Sequence, residues 1–111
     1  MASKVLFITS EVMGRGDDRL GQMLMANFLR LLDESQEKPQ TIIFLNSGVR
    51  LVCSDSKVLD YVKKLAEQGV DILACTTCLE YFDLTDKLEV GNPTTMAKSI
   101  QSMMSADVVN L

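Results

Sequence analysis

The sequence predicts an α/β fold, in which helices cover a parallel sheet of five strands. Short apolar runs alternate along the chain with longer segments whose apolar residues recur at helical spacing. The apolar runs contain few polar residues, as strands buried on both faces do. The chain has 111 residues, of which 47% are hydrophobic, and no linker or repeat. We therefore expect one domain, residues 1–111.

The first strand and first helix are predicted on either side of a glycine-containing loop. Lys4–Ser10 is the strand, and Asp17 or Asp18 can cap the helix that follows. The helix has an apolar pattern that predicts one inner face. That face consists of Leu20, Met23, Leu24, Phe28, Leu31 and Leu32.

The second strand and helix repeat this arrangement. Thr41–Gly48 is a buried strand that runs into a turn, and Ser54–Ser56 offer caps for the next helix. Gly69 lies where a glycine commonly ends a helix. The predicted inner face of this helix consists of Val58, Leu59, Val62 and Leu65.

Three further strands and a last helix complete the prediction. Val70–Ala74, Lys87–Val90 and Asp107–Leu111 are the strands. Asn92 and Pro93 are a typical N-cap and first residue of a helix. We expect that helix to bury Met96, Ile100 and Met103.

Composition excludes several classes of function. The formal net charge is -4 without a basic cluster, which argues against binding to nucleic acid or an anionic membrane. The chain has no histidine, so Ser-His-Asp hydrolysis, Cys-His proteolysis and most zinc chemistry are ruled out. No apolar run approaches the roughly 18 residues that span a bilayer or the length of a signal peptide's core. We expect a cytoplasmic protein with reduced thiols.

Two of the three cysteines, Cys75 and Cys78, directly follow the third predicted strand. Backbone N–H groups at the start of a helix stabilise a thiolate in such a position. The pair could be a nucleophile with a neighbour, a reversible redox pair, or two buried core residues. A structural zinc site usually needs four ligands, so we expect no metal in a monomer; a site shared between subunits is the alternative.

Loops that follow parallel strands gather at one edge of the sheet, where ligands bind. We therefore expect Glu11–Asp17 and Asn46–Ser54 to lie beside the cysteine loop, Cys75–Leu84. The lone G-x-G in the first loop is a weak phosphate-binding signal, and glycines at this spacing are more often turn residues. The candidate binding residues are Glu11, Gly14, Gly16, Asn46, Ser47 and Gly48.

Three segments together resemble the DsrE-like domain family. They are Thr9–Gly21 (TSEVMGRGDDRLG), Phe44–Val49 (FLNSGV) and Ala74–Phe82 (ACTTCLEYF). The chain is most similar to the DsrE-like domain of the YedF group, sulfurtransferase-like proteins of selenium metabolism. The resemblance extends over Lys4–Leu111. Members of that group carry a small TusA-like domain ahead of this one.

The resemblance implies a three-layer α/β/α sandwich with strand order 4-3-2-1-5, which would bring Cys53 towards the cysteine pair. It also implies a sulfur or selenium carrier whose persulfide forms on Cys75, with Cys78 as an additional cysteine. Thiol exchange needs an accessible thiolate but no cofactor. The implied partners are sulfur-donor and sulfur-acceptor proteins, including a TusA-like domain. The alternative is a non-catalytic binding or assembly module.

Family members generally form oligomers, so we expect a homo-oligomer here. The high apolar content of the chain agrees with this expectation. Tyr81 and Phe82 follow the cysteine pair, and exposed aromatic residues beside a reactive thiol would make a docking surface. We expect the cysteine loop to lie near a subunit boundary.

Overall fold

Five parallel strands form one sheet in the computed structural model, which describes residues 3–111. Met1 and Ala2, the start of the predicted domain, lie outside the described residues. The order of the strands is β4-β3-β2-β1-β5, and helices lie on both faces of the sheet. The predicted α/β sandwich and its strand order are confirmed. The strands are β1 (Lys4–Ile8), β2 (Thr41–Phe44), β3 (Asp71–Cys75), β4 (Asn92–Thr94) and β5 (Asp107–Asn110).

Four α-helices and two 3₁₀ helices connect the strands. The α-helices are α1 (Asp18–Glu34), α2 (Leu59–Glu67), α3 (Thr76–Tyr81) and α4 (Met96–Ser105), and the 3₁₀ helices are Asn46–Val52 and Thr85–Lys87. Among residues 3–111, no helix has the length and apolar character needed to cross a membrane.

The larger hydrophobic core lies between the sheet and helices α1 and α2. Met25 and Leu29 of α1 and Val62 and Leu65 of α2 are all at most 2% exposed. Burial of each such side chain contributes about 1.5–3 kcal/mol. A smaller cluster, formed by Val5, Phe7 and Ile43, occupies the opposite face of the sheet.

Helix α1 begins as predicted but buries a different face. Asp17 caps it by accepting a hydrogen bond from the N–H of Leu20 at 2.8 Å. The predicted inner residues Leu20, Met23, Leu24 and Leu31 are 41–61% exposed, so this part of the prediction is wrong. Gly21 sets the rotation of α1 about its own axis, because a Cβ at this position would lie 2.8 Å from the Cβ of Val12. The glycine side of the helix can therefore approach the preceding loop most closely.

Helix α2 begins later than its predicted serine caps. Val58 is the N-cap and makes no side-chain capping bond, while Ser56 Oγ accepts the N–H of Val58 at 3.3 Å. The serine thus closes a turn before the helix instead of capping it. Gly69 follows the end of the helix with a φ of +95°, in agreement with the predicted glycine stop.

The fourth strand and the last helix begin at different residues from those predicted. Strand β4 is Asn92–Thr94, so Asn92 and Pro93 extend the sheet instead of starting a helix. Proline is tolerated because β4 is an edge strand, where one side needs no N–H donors. Of the predicted strand Lys87–Val90, Leu88 forms only an isolated antiparallel bridge with Cys53.

Helix α4 buries Ser99 instead of its larger apolar residues. Its predicted inner residues Met96, Ile100 and Met103 are 40–53% exposed, whereas Ser99 is only 1% exposed. The Oγ of Ser99 donates a hydrogen bond to the carbonyl oxygen of Thr95 at 3.1 Å, so burial of this polar side chain does not leave its donor unpaired. The cap of α4 is Thr95, whose Oγ1 accepts the N–H of Lys98 at 3.3 Å.

Candidate functional site

The cysteine pair lies where β3 passes directly into α3. Cys75 is the last residue of the strand and the N-cap of the helix, and its Sγ accepts the N–H of Cys78 at 3.4 Å. Cys75 is therefore at the carboxyl end of a central strand, as predicted. It is only 4% exposed, whereas Cys78 is half-buried. A sulfur carrier needs an accessible thiolate. Cys78 meets this need better than Cys75, because neighbouring strands and α3 enclose Cys75.

Two contacts hold the start of α3 in place. Thr76 Oγ1 donates a hydrogen bond to the carbonyl oxygen of Thr94 in β4, at 2.9 Å. One turn later, Leu79 is 1% exposed and packs into the larger core. The position of the cysteine pair is therefore determined by β4 on one side and by the core on the other.

Asn46 connects the second predicted loop to the pair. Its backbone N–H donates a hydrogen bond to Cys78 Sγ at 3.1 Å. The residue has a φ of +51°, a conformation that asparagine adopts more readily than most residues. Its side-chain Oδ1 accepts the N–H of Ser47 at 2.8 Å, which stabilises this bend. The prediction that the loops after β2 and β3 meet is thus realised by a direct contact.

The thiol of Cys78 has a raised pKa. Burial raises it most, and the hydrogen bond with the side chain of Cys75 raises it further. The backbone N–H of Asn46 acts in the opposite direction, because a donor stabilises the thiolate. The N–H of Cys78 contacts Cys75 Sγ, so the two cysteines lie on one turn at the start of α3.

Ser47 and Glu11 join the first loop to the second. Ser47 Oγ accepts the backbone N–H of Glu11 at 3.2 Å, while the carboxylate of Glu11 lies 3.9 Å from Nε of Arg50. The guanidinium carbon of Arg50 lies 4.6 Å from the ring centroid of Phe82, just after α3. This series of contacts links all three predicted loops. Arg50 was missed from the sequence, since no spacing motif marks a contact made only by folding. Phe82 was predicted as an exposed docking residue, but it is half-buried and packs against the larger core.

The three glycines of the predicted site lie where the backbone conformation or close packing favours glycine. Gly48 packs against β1, since a Cβ there would lie 2.3 Å from the carbonyl oxygen of Ile8. Gly14 and Gly16 are exposed, with φ values of +86° and +127°, and a Cβ would meet nothing within 4 Å. Their positive φ angles are typical of turn glycines, and their part in ligand binding stays a prediction.

Thr94 is a further residue of the site that sequence patterns did not indicate. It is the cross-strand partner of Cys75, and it is 3% exposed. Its hydroxyl has no hydrogen-bond partner among residues 3–111. A buried hydroxyl without a hydrogen-bond partner lowers the free energy of unfolding by about 1–3 kcal/mol. The Thr94 hydroxyl, beside Cys75, is therefore a target for substitution.

Cys53 lies at the end of the 3₁₀ helix Asn46–Val52 and is 1% exposed. Burial raises the pKa of its thiol, and the positive charge of Arg50 partly opposes this shift. Within residues 3–111, no group of three Cys, Asp or Glu side chains is placed to hold a metal ion. Cys53 therefore does not complete a three-ligand site with the pair.

Solved structures from bacteria and an archaeon share this architecture. The chain superposes on the YchN protein of E. coli with a TM-score of 0.75 and 17% identity, covering 100% of both chains. The chain also superposes on the protein of unknown function MTH1491 from Methanobacterium thermoautotrophicum. The TM-score is 0.68 and the sequence identity is 18%, over 97% of this chain and 98% of that one. A third structure is BT1422, a conserved protein of unknown function from Bacteroides thetaiotaomicron. Its TM-score is 0.64 and its sequence identity is 14%, over 98% of this chain and 95% of that one.

The chain has the DsrE-like fold. At identities below 20%, these similarities concern the fold alone and do not extend to the YedF group. No protein-family profile and no curated protein sequence matches the chain. Function must therefore be argued from the chemistry of the site.

Proposed function

We propose that this protein is a sulfur or selenium carrier of the DsrE-like fold that holds its cargo as a persulfide on Cys75. The observation that carries the proposal is the paired hydrogen bonding of the two sulfurs. Cys75 Sγ accepts an N–H from Cys78, and Cys78 Sγ accepts an N–H from Asn46. Backbone N–H donors stabilise thiolates, which are the reactive form in sulfur exchange.

The difference in burial assigns the two cysteines different parts of the reaction. Cys78 is the more exposed sulfur and meets the donor, whereas Cys75, at 4% exposure, stores the cargo away from reductants. The contact of the Cys78 N–H with Cys75 Sγ at 3.4 Å keeps the two cysteines on one turn, which supports exchange between them. While Cys75 holds the persulfide, the Cys78 thiolate can instead attack its inner sulfur, which forms the Cys75–Cys78 disulfide and releases the outer sulfur as sulfide.

The transfer consists of two thiol-exchange steps. The Cys78 thiolate attacks the outer sulfur of the donor's persulfide; the donor S–S bond breaks, a new S–S bond forms, and the donor leaves as a thiolate. The Cys75 thiolate then attacks that same outer sulfur, and Cys78 is regenerated as a thiolate. Each step displaces one thiolate, so neither an oxidant nor a cofactor is needed.

Mass spectrometry after incubation with glutathione persulfide tests this function. The wild type should gain one sulfur atom on Cys75. Cys75→Ser should retain less than about a tenth of that sulfur, whereas Cys78→Ser should load more slowly and keep its cargo. Cys53→Ser is the matched control and should load like the wild type. Equal loading of Cys75→Ser would overturn the assignment.

A homo-oligomer and partner proteins belong to the same proposal. Tyr81 is 83% exposed at the end of α3, and it meets Phe82 edge-on with ring centroids 5.2 Å apart. An exposed aromatic residue near a storing thiol suits a docking surface for another subunit or for a donor or acceptor such as a TusA-like domain. The proposed compartment is the cytoplasm, where thiols are kept reduced.

A non-catalytic binding module is the second candidate, and the low exposure of Cys75 favours it. Alkylation with iodoacetamide at neutral pH separates the two. A carrier's pair should react with iodoacetamide in the folded protein, while the cysteines of a binding module should react only after unfolding.

A further inference from the structure

A cavity lies on the α1 side of the sheet, and the cysteine pair is outside it. Its volume is about 800 Å³, within the range of small-molecule sites, and neither Cys75 nor Cys78 lines it. Helix α1, the 3₁₀ helix Asn46–Val52 and the segment leading into α2 form its walls. The cavity shares Glu11 and Arg50 with the candidate site, but the two cysteines of the proposed sulfur chemistry do not line it.

The wall of this cavity is positively charged although the protein is acidic. Four of the chain's 11 basic residues line it, against two of its 15 acidic residues. The wall thus carries a formal charge of +2 in a chain with a net charge of -4. The basic residues are Arg19, Arg50, Lys57 and Lys87, and the acidic residues are Glu11 and Asp55.

Most of these cations are available for a ligand. Arg50 faces Glu11 at 3.9 Å, while Arg19, Lys57 and Lys87 make no ion pair within residues 3–111. Concentration of one sign of charge in a concave surface attracts ligands of the opposite sign.

The inner part of the cavity is apolar. Met25, Leu51 and Val58 are each at most 8% exposed and line it, with half-buried Ala26 beside them. An apolar floor below a cationic rim is suited to a molecule that is apolar at one end and anionic at the other.

We propose that this cavity binds a small organic anion that carries an apolar group, such as an aromatic or alkyl carboxylate, sulfonate or phosphate ester. The apolar group packs on the floor, and the anion contacts Lys57, Lys87 and Arg19. Since the cysteine pair does not line the cavity, binding does not require the sulfur chemistry proposed above.

Two fluorescent probes of matched shape test the proposal. They are 8-anilinonaphthalene-1-sulfonate, which is anionic, and N-phenyl-1-naphthylamine, which lacks the sulfonate. The sulfonate should bind the wild type about tenfold more tightly than the neutral probe, and added salt should remove the difference. Equal binding of the two probes, or no binding of either, would overturn the proposal.

Variants locate the binding within the cavity. Lys57→Gln with Lys87→Gln should weaken sulfonate binding about three- to tenfold and leave the neutral probe unchanged. The control, Lys63→Gln with Lys64→Gln, removes the same charge from exposed positions outside the cavity and should have no effect. If both double variants weaken binding equally, the attraction is that of the whole surface and the cavity is not the site.

The apolar floor is tested by filling it. Ala26→Leu should weaken both probes, whereas Ala97→Leu on the exposed side of α4 should weaken neither. Probes that bind instead to the exposed apolar side chains of α1 would be unaffected by Ala26→Leu, which would contradict the proposal. Replacing Cys75 and Cys78 together by serine should leave probe binding intact, so that the two proposals fail or succeed separately.

Discussion

Replacement of Gly48 by alanine should displace the 3₁₀ helix Asn46–Val52 from the sheet. Gly48 is buried, and a Cβ at this position would lie 2.3 Å from the carbonyl oxygen of Ile8 and 3.3 Å from the backbone nitrogen of Ser10. The first distance is about 1 Å shorter than an ordinary contact of about 3.5 Å. Both obstacles are backbone atoms of β1 and its following loop, so neither can rotate away as a side chain would.

The expected cost follows from that overlap. Insertion of one methyl group into a packed interior typically destabilises a protein by about 1–3 kcal/mol, and a rigid backbone obstacle favours the upper end. We expect Gly48→Ala to lower the free energy of unfolding by about 2–3 kcal/mol. The same displacement should move the N–H of Asn46 away from Cys78 Sγ, which it contacts at 3.1 Å.

Urea denaturation followed by circular dichroism measures the loss of stability. Gly14→Ala is the matched control, because its Cβ would meet nothing within 4 Å and only its φ of +86° is unfavourable. That variant should lose about 1 kcal/mol. A Gly48→Ala protein within about 0.5 kcal/mol of the wild type, or more stable than Gly14→Ala, would show that the close approach does not govern this loop.

Three further predictions concern reactivity, packing and assembly. Because the pKa of Cys78 is raised, its rate of alkylation should keep rising with pH above 9, where the thiolate fraction of an ordinary thiol, with a pKa of about 8.5, has nearly levelled off; a rate that levels off at pH 9 would contradict the shift. Thr94→Val should raise the free energy of unfolding by about 1 kcal/mol by removing an unpaired buried hydroxyl; a loss of stability in urea denaturation would show that the hydroxyl has a partner. Light scattering at micromolar concentration should give a mass above that of one chain, and Tyr81→Ala should lower it, because Tyr81 is 83% exposed; a monomeric wild type would count against assembly.

The alternation of strands and helices could be predicted from the sequence because local patterns determine it. Buried parallel strands need continuous apolar runs, such as those of β1 and β2, and an aspartate before a helix caps it wherever the helix packs. The resemblance to DsrE-like proteins supplied the strand order. Given that order, the position of Cys75 at the end of β3 placed the pair at the ligand-binding edge.

The rotation of the helices could not be predicted in the same way. Helix α1 carries apolar residues on more than one side, and periodicity does not say which side meets the sheet. Close approach at Gly21 decided the question for α1, and burial of Ser99 decided it for α4. Hydrophobicity favoured the larger side chains, but small residues occupy buried positions in both helices, Gly21 in α1 and Ser99 in α4.

The sequence by itself determined the fold class, the strand-end position of the cysteine pair and the absence of histidine chemistry. These properties depend on residue types and on spacing along one segment. Only the tertiary structure decided that Cys75 is buried while Cys78 is accessible, that Asn46 donates to Cys78, and that the cationic residues line one cavity. Each of these depends on atoms from segments distant in the chain, and their separations are set by backbone packing that no local pattern encodes.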